Sequence, residues 1–162
     1  MRKLMVGAAA WLVLGAASLG MAQEKPFATM QKFIDSFNKG DAAAAAATHS
    51  ATADLAIVDE VAPFLWNGPQ AFQTWAADLD SDAKKNGITD QNVAISAPTR
   101  SVTSADRAYL VVPAVYTFKQ RGVAMREKAQ MTVVLKKDAS GWLIHGWTWT
   151  GPNPTPAPAA KP

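Results

Sequence analysis

The apolar residues of this chain follow two different periods, and the main change of period falls near Gly87. Before that point they recur every three or four residues, which is typical of helices with one buried face. The first predicted helix shows this spacing in Phe27, Met30, Phe33, Ile34 and Phe37. After Gly87, β-branched and aromatic residues occur at every second position, which is typical of strands. Helices that come first and strands that follow predict an α+β fold, because each part must bury its apolar face against the other.

The helical part predicts about three helices. The first ends at Gly40, since glycine suits the left-handed conformation that closes a helix. Asp41 then caps a short, alanine-rich second helix. The third opens at Pro69, because proline is favoured at the first helical position, and it stops at Gly87. Between the second and third helices, residues 53–59 predict a strand.

The last part of the chain predicts four strands, over residues 92–97, 108–118, 123–135 and 142–149. Turn-like segments separate them, so an antiparallel meander is expected. Pro113 lies inside the second of these strands and marks an edge or a bulge, which would help to curve the sheet.

The amino terminus has the pattern of a secretory signal peptide. Arg2 and Lys3 precede an uncharged stretch, residues 4–21, and small residues follow, so cleavage is expected before Gln23. An uncleaved membrane anchor is the alternative, but the stretch is slightly short for a span of about 20 residues. We therefore predict a signal peptide over residues 1–22, no stable membrane anchor after cleavage, and a periplasmic or secreted protein.

At the other end, residues 151–162 hold five of the ten prolines and predict an extended, mobile tail. One compact domain remains, over residues 23–150. Loss of Arg2 and Lys3 with the leader lowers the number of basic residues from 16 to 14, against 13 acidic ones, so the formal charge falls from +3 to +1. The basic residues are scattered along the chain, and no nucleic-acid partner is expected.

The chain has no cysteine, which excludes disulfides, thiolate nucleophiles, zinc ribbons and iron–sulfur ligation. Its two histidines are far apart in sequence and form no zinc signature, and no glycine-rich phosphate loop is present. No metal or other cofactor is therefore expected. His49 follows the alanine-rich helix, where an exposed side chain is predicted.

Four segments together resemble a known superfamily: residues 33–41 (FIDSFNKGD), 54–59 (DLAIVD), 66–72 (WNGPQAF) and 141–145 (GWLIH). In this order and spacing they are similar to the nuclear transport factor 2-like superfamily, which includes SnoaL-like polyketide cyclases, ketosteroid isomerases and scytalone dehydratases. The resemblance implies a cone-shaped barrel made of a strongly curved antiparallel sheet, covered by about three N-terminal helices. It also implies a mostly apolar pocket inside the cone and, often, a homodimer packed through the sheet. Fold membership does not define the function, since enzymes and binders share this scaffold.

Asp59 is the first candidate for a catalytic group. It lies nine residues before Gly68 and matches the position of the general-base aspartate in ketosteroid isomerases. An apolar surround that includes Phe64 and Trp66 would raise the pKa of such a carboxyl group, as a base requires. The alternative is a turn residue that accepts a hydrogen bond from a nearby backbone amide.

The donors that ketosteroid isomerases use to stabilise an enolate oxygen are missing. Phe33 occupies the position of the helix tyrosine, and a phenyl ring cannot donate a hydrogen bond. The second donor, an aspartate on a late strand, falls near Thr132 or Val133. Steroid isomerisation of that type is therefore not expected.

His145 and Tyr116 are two further candidates. Alternation on the last strand groups His145 with Trp147 and Trp149, where it would act as an acid or base, bind a ligand, or serve a structural or dimer-interface role. Tyr116 alternates with apolar neighbours and is expected to point its hydroxyl into the cone, or to be a core ring.

The aromatic side chains Phe33, Trp66, Trp147 and Trp149 are predicted to bind a ligand, whereas Trp75 is assigned to the core. These features predict an exported domain that binds a small apolar molecule in an aromatic-lined pocket, with no assigned reaction. One alternative is a proton-shuttling isomerase, dehydratase or cyclase with Asp59 as the base and Tyr116 or His145 as the donor. Another is a dimeric protein-interaction module.

Overall fold

The computed structural model describes residues 25–158, so the predicted signal peptide lies outside the described residues. This part of the chain forms three helices and eight strands. They are α1 (Pro26–Asn38), α2 (Ala42–Ala46), β1 (Ala56–Val58), β2 (Leu65–Asn67), α3 (Ala71–Asn86), β3 (Ile88–Ile95), β4 (Arg100–Thr103), β5 (Arg107–Gln120), β6 (Val123–Asp138), β7 (Gly141–Thr150) and β8 (Thr155–Pro156). None of the helices within residues 25–158 has the length and apolar character needed to cross a membrane.

The strands form one curved, unclosed sheet in the order β2-β1-β7-β6-β5-β3, with β4 paired to β5 and β8 paired to β6. All pairs are antiparallel except β1 with β7. Strands β5, β6 and β7 are successive antiparallel neighbours, as the meander predicted. The helices contribute buried apolar side chains to the same core as the sheet, and the predicted α+β architecture is confirmed.

Local sequence signals define the helix ends well. The Asp41 side chain accepts a hydrogen bond from the Ala44 N–H at 2.9 Å and caps α2, as predicted. Gly87 closes α3 in the left-handed conformation, with φ of 65°. The start of α3 differs from the prediction, because a turn closed by the Ala71 N–H to Gly68 O bond precedes the helix.

Pro113 lies at a change of partner within the sheet. Strand β5 pairs with β4 over residues 108–111 and with β3 from Ala114 onwards. Pro113 therefore falls in the gap between the two partners. The ring nitrogen has no hydrogen to donate, and only the carbonyl of Pro113 is used, accepting a bond from the Ser96 N–H at 3.1 Å. The gap allows one long strand to bridge two shorter ones, which helps the sheet to curve.

Strand β7 contains a bulge at His145. Its register against β6 shifts between Ile144 and Gly146, which leaves His145 as an extra residue. A bulge reverses the alternation of all the following side chains. The predicted grouping of His145 with Trp147 and Trp149 is therefore wrong: both indoles lie on the cavity side of the sheet, whereas His145 does not line the cavity.

The carboxyl-terminal segment differs from the predicted mobile tail over residues 151–158. Thr155 pairs with Arg126 of β6, and the Ala157 N–H donates to Ala124 O at 2.8 Å. Strand β7 pairs only with residues 130–138 of β6, so the first half of β6 has a free edge. An extended chain can join that edge through backbone groups and needs no apolar side chains to do so.

His49 is buried, with 6% of its surface exposed, and the prediction of an exposed side chain is wrong. Its Nδ1 lies 3.0 Å from Ala45 O, and its Nε2 accepts a hydrogen bond from Trp147 Nε1 at 3.1 Å. The segment after α2 forms a parallel bridge with Ile144 of β7, and this contact holds the imidazole inside the core.

Candidate functional site

A cavity of about 600 Å³ opens between α1, α3, the inner face of the sheet and the carboxyl-terminal segment. Its volume lies within the range of about 300–1,000 Å³ that is usual for small-molecule sites. Aromatic side chains dominate the walls. They are Phe33, Phe37, Phe64, Trp75, Tyr116, Phe118, Trp147 and Trp149.

Five of the seven residues predicted for the site line this single cavity, although they come from distant parts of the chain. Asp59 comes from the loop after β1, Tyr116 from β5, and Phe33 from α1. Trp147 and Trp149 come from β7, beyond the bulge. The fold thus brings both the predicted carboxyl group, Asp59, and the predicted phenol, Tyr116, to the same aromatic-lined cavity.

His145 and Trp66 do not line the cavity. The Nδ1 of His145 lies 3.3 Å from Asp54 Oδ2, which is an exposed carboxylate away from the chamber. Trp66 is buried beneath α3, where its Nε1 donates to Asp78 Oδ2 at 2.8 Å. Neither the histidine nor this tryptophan is placed to contact a molecule in the cavity.

The Asp59 carboxylate is oriented by two donors. Trp75 Nε1 donates to Asp59 Oδ2 at 2.6 Å, and the Glu60 backbone N–H donates to Asp59 Oδ1 at 2.8 Å. Burial raises the pKa of Asp59, and these two hydrogen bonds oppose the rise. The backbone bond is the one expected of a turn residue, but the carboxyl group also lines the cavity. Trp75, which the sequence assigned to the core, belongs to this site as well.

Tyr116 supplies a hydroxyl group at the sheet side of the cavity. It donates to Gln91 Oε1 at 2.6 Å, and Gln91 is also a lining residue. Burial, followed by the negative charges of Asp59 and Glu60, raises the pKa of Tyr116 above its ordinary value. Like an ordinary tyrosine, Tyr116 is neutral near pH 7, and its hydroxyl acts as a hydrogen-bond donor.

A second carboxyl group, Glu127, lies on the inner face of β6 directly opposite Tyr116 and is only 2% exposed. Its Oε1 accepts a hydrogen bond from Trp149 Nε1 at 2.9 Å. Its Oε2 has no donor among the residues that the structure describes. Glu60, at the partly open mouth of the cavity, is within hydrogen-bonding reach of Glu127, but a carboxyl group can donate only when it is protonated.

The two glutamates are close enough for each to affect the pKa of the other. Burial, the neighbouring charge of Glu127 and the hydrogen bond to it raise the pKa of Glu60 to about 7. Burial also raises the pKa of Glu127. Both residues escaped the sequence reasoning, although one signal was available: Glu127 occupies an inward position of the period-two pattern, between the cavity-lining residues Met125 and Met131.

The charge of the cavity wall has one sign. Asp59, Glu60 and Asp82 line it, and no lysine, arginine or histidine of the described residues does so. Within residues 25–158, no group of three or more histidine or acidic side chains is arranged to hold a metal ion. The site combines carboxyl groups and a neutral phenol with apolar walls, which suits either binding or proton transfer.

Comparisons with known proteins agree with this architecture. Residues 27–148 match the family model of the SnoaL-like domain. No sequence among curated proteins matches the chain. A ketosteroid isomerase-like protein from Erwinia carotovora atroseptica is 22% identical, with a TM-score of 0.58 over 77% of this chain and 92% of that one.

Two other solved structures are similar at lower identity. A nuclear transport factor 2-like superfamily protein from Salmonella enterica serovar Typhimurium has a TM-score of 0.64 and 14% identity, over 83% of this chain and 93% of its own. The type 2 hexachlorocyclohexane dehydrochlorinase LinA has a TM-score of 0.62 and 13% identity, over 83% and 90%. At these identities the structures show a shared fold alone. The family match, the curved sheet with its three helices and these neighbours together show that the chain belongs to the SnoaL-like domain family, with the nuclear transport factor 2-like fold.

Proposed function

We propose that this protein binds a small, mainly apolar molecule in the aromatic-lined cavity. The observation that carries the proposal is the cavity itself: about 600 Å³ of space walled by eight aromatic side chains, among them three tryptophans. Core tryptophans that served packing alone would fill this space. Burial of an apolar ligand against such a wall is favourable by about 25 cal/mol for each Å² removed from water.

The test is a titration with N-phenyl-1-naphthylamine, a neutral apolar fluorophore, followed by its fluorescence. Val61→Trp places a large ring in the cavity wall, and we expect it to weaken binding by about tenfold or more, or about 1.4 kcal/mol. Val123→Trp makes the same change on an exposed side chain of β6, outside the cavity lining, and serves as the matched control. Equal binding by both variants, or no binding by the unmodified protein, would contradict the proposal.

Export is part of the proposal and is supported by the sequence of residues 1–22. The mature protein is expected to begin at Gln23 and to act in the periplasm or outside the cell. The intact mass of protein recovered from those compartments tests this, since a mass that includes Met1 would exclude cleavage.

A second candidate function is proton transfer between the carbons of a bound substrate, with Asp59 as the base. It is favoured by the position of Asp59 in the cavity, by its raised pKa and by the neutral Tyr116 hydroxyl as a donor. His145 is no longer a candidate donor, because it lies outside the cavity. Solvent deuterium exchange into a panel of cyclic ketones, followed by NMR, is the assay. Asp59→Asn should abolish any exchange, whereas Asp80→Asn, on an exposed carboxylate of α3 paired with Lys84, should not.

Homodimer formation is also proposed, and an exposed apolar stripe on the outer face of the sheet supports it. Val102, Tyr109 and Val134 are direct cross-strand neighbours on β4, β5 and β6, with 54%, 38% and 43% of their surfaces exposed. A second copy of the chain packed through this face would remove the stripe from water.

A further inference from the structure

The polar part of the cavity carries negative charge that no described residue neutralises. Asp59, Glu60 and Asp82 line the cavity, and Glu127 lies directly behind Glu60. Within residues 25–158, none of these four carboxyl groups takes part in an ion pair. Other acidic residues of the same domain do form such pairs, for example Asp90 with Lys119 at 2.8 Å. The three acids that line the cavity share one enclosed space, and no lysine, arginine or histidine of residues 25–158 lines it with them.

Glu127 provides an independent indication that a positive group belongs there. It is almost completely buried, and its Oε2 has no hydrogen-bond donor among the described residues. A buried carboxylate without a partner is unfavourable, and such groups are usually paired with a cation or hydrogen-bonded. The side chain lies on the same face of β6 as Met125 and Met131, which line the cavity. It also interacts with two other lining residues, Trp149 and Glu60.

The walls beside these carboxyl groups suit an organic cation better than a hydrated inorganic one. Trp75 and Trp149 hydrogen bond to Asp59 and Glu127 through their indole N–H groups, so that each acid has an aromatic ring beside it. Tyr116 and Trp147 line the same chamber. Ammonium groups are attracted to the faces of such rings, and desolvation strengthens the attraction.

We propose that the ligand of this cavity is an organic cation: a protonated amine or quaternary ammonium group attached to an apolar body. The charged group lies among Asp59, Glu60 and Asp82, and the apolar body lies against the aromatic wall. This inference rests on the proposed ligand-binding function and adds to it the charge of the ligand.

The inference also predicts how binding depends on pH. Glu60 interacts with Glu127 on β6, with Tyr116 on β5 and with Asp59 in its own loop, and Asp82 on α3 lines the same cavity. All of these groups are acidic or neutral. A bound cation favours the ionised form of Glu60, whose pKa is about 7 in the free protein, so binding releases a proton from Glu60. Affinity for a cation should therefore rise with pH through this region, whereas affinity for a neutral ligand should not.

The experiment compares three probes with the same aromatic body: 2-phenylethylammonium, neutral 2-phenylethanol and anionic phenylacetate. Binding to the mature protein is measured by calorimetry at several pH values. We expect the ammonium probe to bind at least about tenfold more tightly than the alcohol, and phenylacetate to bind more weakly than the alcohol. Glu60→Gln and Asp82→Asn should each weaken ammonium binding by about threefold to tenfold and leave the alcohol unchanged. Asp80→Asn, which removes an exposed carboxylate from α3, is the matched control and should have no effect.

The outcomes separate this inference from the proposal on which it rests. Equal affinities for the ammonium and alcohol probes would overturn the cation assignment and leave the apolar binding function intact. Binding of N-phenyl-1-naphthylamine without measurable binding of the ammonium probe would do the same. Failure of every probe, including that fluorophore, would overturn both. Circular dichroism checks that Glu60→Gln and Asp82→Asn are folded. If one of them misfolds, the other still tests whether the lining carboxyl groups bind the ammonium probe.

Discussion

We expect the contribution of His49 to the free energy of unfolding to fall as the pH is lowered from 6.5 to about 4, because His49 is buried as a neutral imidazole. Burial lowers the pKa of His49 from 6.5 to about 4. The geometry gives a second reason. Nδ1 donates to Ala45 O, while Nε2 accepts from the Trp147 indole N–H. A proton on Nε2 would place two N–H donors against each other.

The sign and the magnitude follow from proton linkage. Between pH 6.5 and about 4 the unfolded chain holds a proton on His49 and the native chain does not. The contribution of His49 to the free energy of unfolding therefore rises with pH in this window and is lost on acidification. The difference in pKa corresponds to about 3 kcal/mol below pH 4, a large share of the roughly 5–15 kcal/mol that stabilises a typical domain. Asp59, Glu60 and Glu127 act in the opposite direction, because their raised pKa values make acidification favourable for the native state.

The assay is urea denaturation of the unmodified protein and of His49→Gln across this pH window. The glutamine variant should be less stable near neutral pH, since it loses packing against Phe33 and Phe72. The gap between the two proteins should then narrow by about 3 kcal/mol on acidification, because only the unmodified protein has the buried imidazole. His145→Gln, which removes the other histidine, should keep the acid sensitivity. A constant gap between the unmodified protein and His49→Gln from pH 6.5 to 4 would refute the reasoning.

Three further predictions concern the cavity, the carboxyl-terminal segment and the sheet face. Trp75→Phe removes a donor to Asp59 and should raise the pKa of that carboxyl group further in an NMR titration; an unchanged or lower value would show that the indole does not stabilise the carboxylate. In Gly151→Ala the added methyl group would overlap with Glu127 Oε1, so urea denaturation should show a loss of roughly 1–3 kcal/mol, and unaltered stability would contradict this close packing. Val134→Lys places a charge in the exposed apolar stripe and should convert a dimer to a monomer in sedimentation experiments, whereas an unmodified protein that is monomeric at every concentration would exclude the dimer.

The elements that were predictable depend on local signals. Asp41 as a helix cap, Gly87 as a helix end and the alternation of β5 each involve residues close in sequence, and all three are present in the structure. Two site residues were also found from the sequence. Asp59 was identified by the family resemblance, through its position nine residues before Gly68, and Tyr116 by its phase on a strand, and both line the cavity.

The errors involve contacts between distant parts of the chain. The bulge at His145 depends on how β7 meets β6, so the period-two pattern placed His145 on the same face as Trp147 and Trp149, which line the cavity without it. Trp66 was predicted to line the pocket because it is aromatic, but its indole N–H donates a hydrogen bond to Asp78 beneath α3. The ordered position of residues 151–158 depends on the open edge of β6, which is visible only when the length of β7 is known.

The sequence by itself determined the α+β class, the helix ends, the family resemblance and the aromatic character of the interior, because periodicity, capping and composition act over a few residues. Only the tertiary structure decided which side chains share the cavity and what charge its wall carries. Glu60 and Glu127 are 67 positions apart in sequence. The loop after β1 brings Glu60 close to Glu127 on the inner face of β6, and burial raises the pKa of both. That pairing cannot be read from either residue alone, since the pKa of a carboxyl group depends on its solvation and on its neighbours.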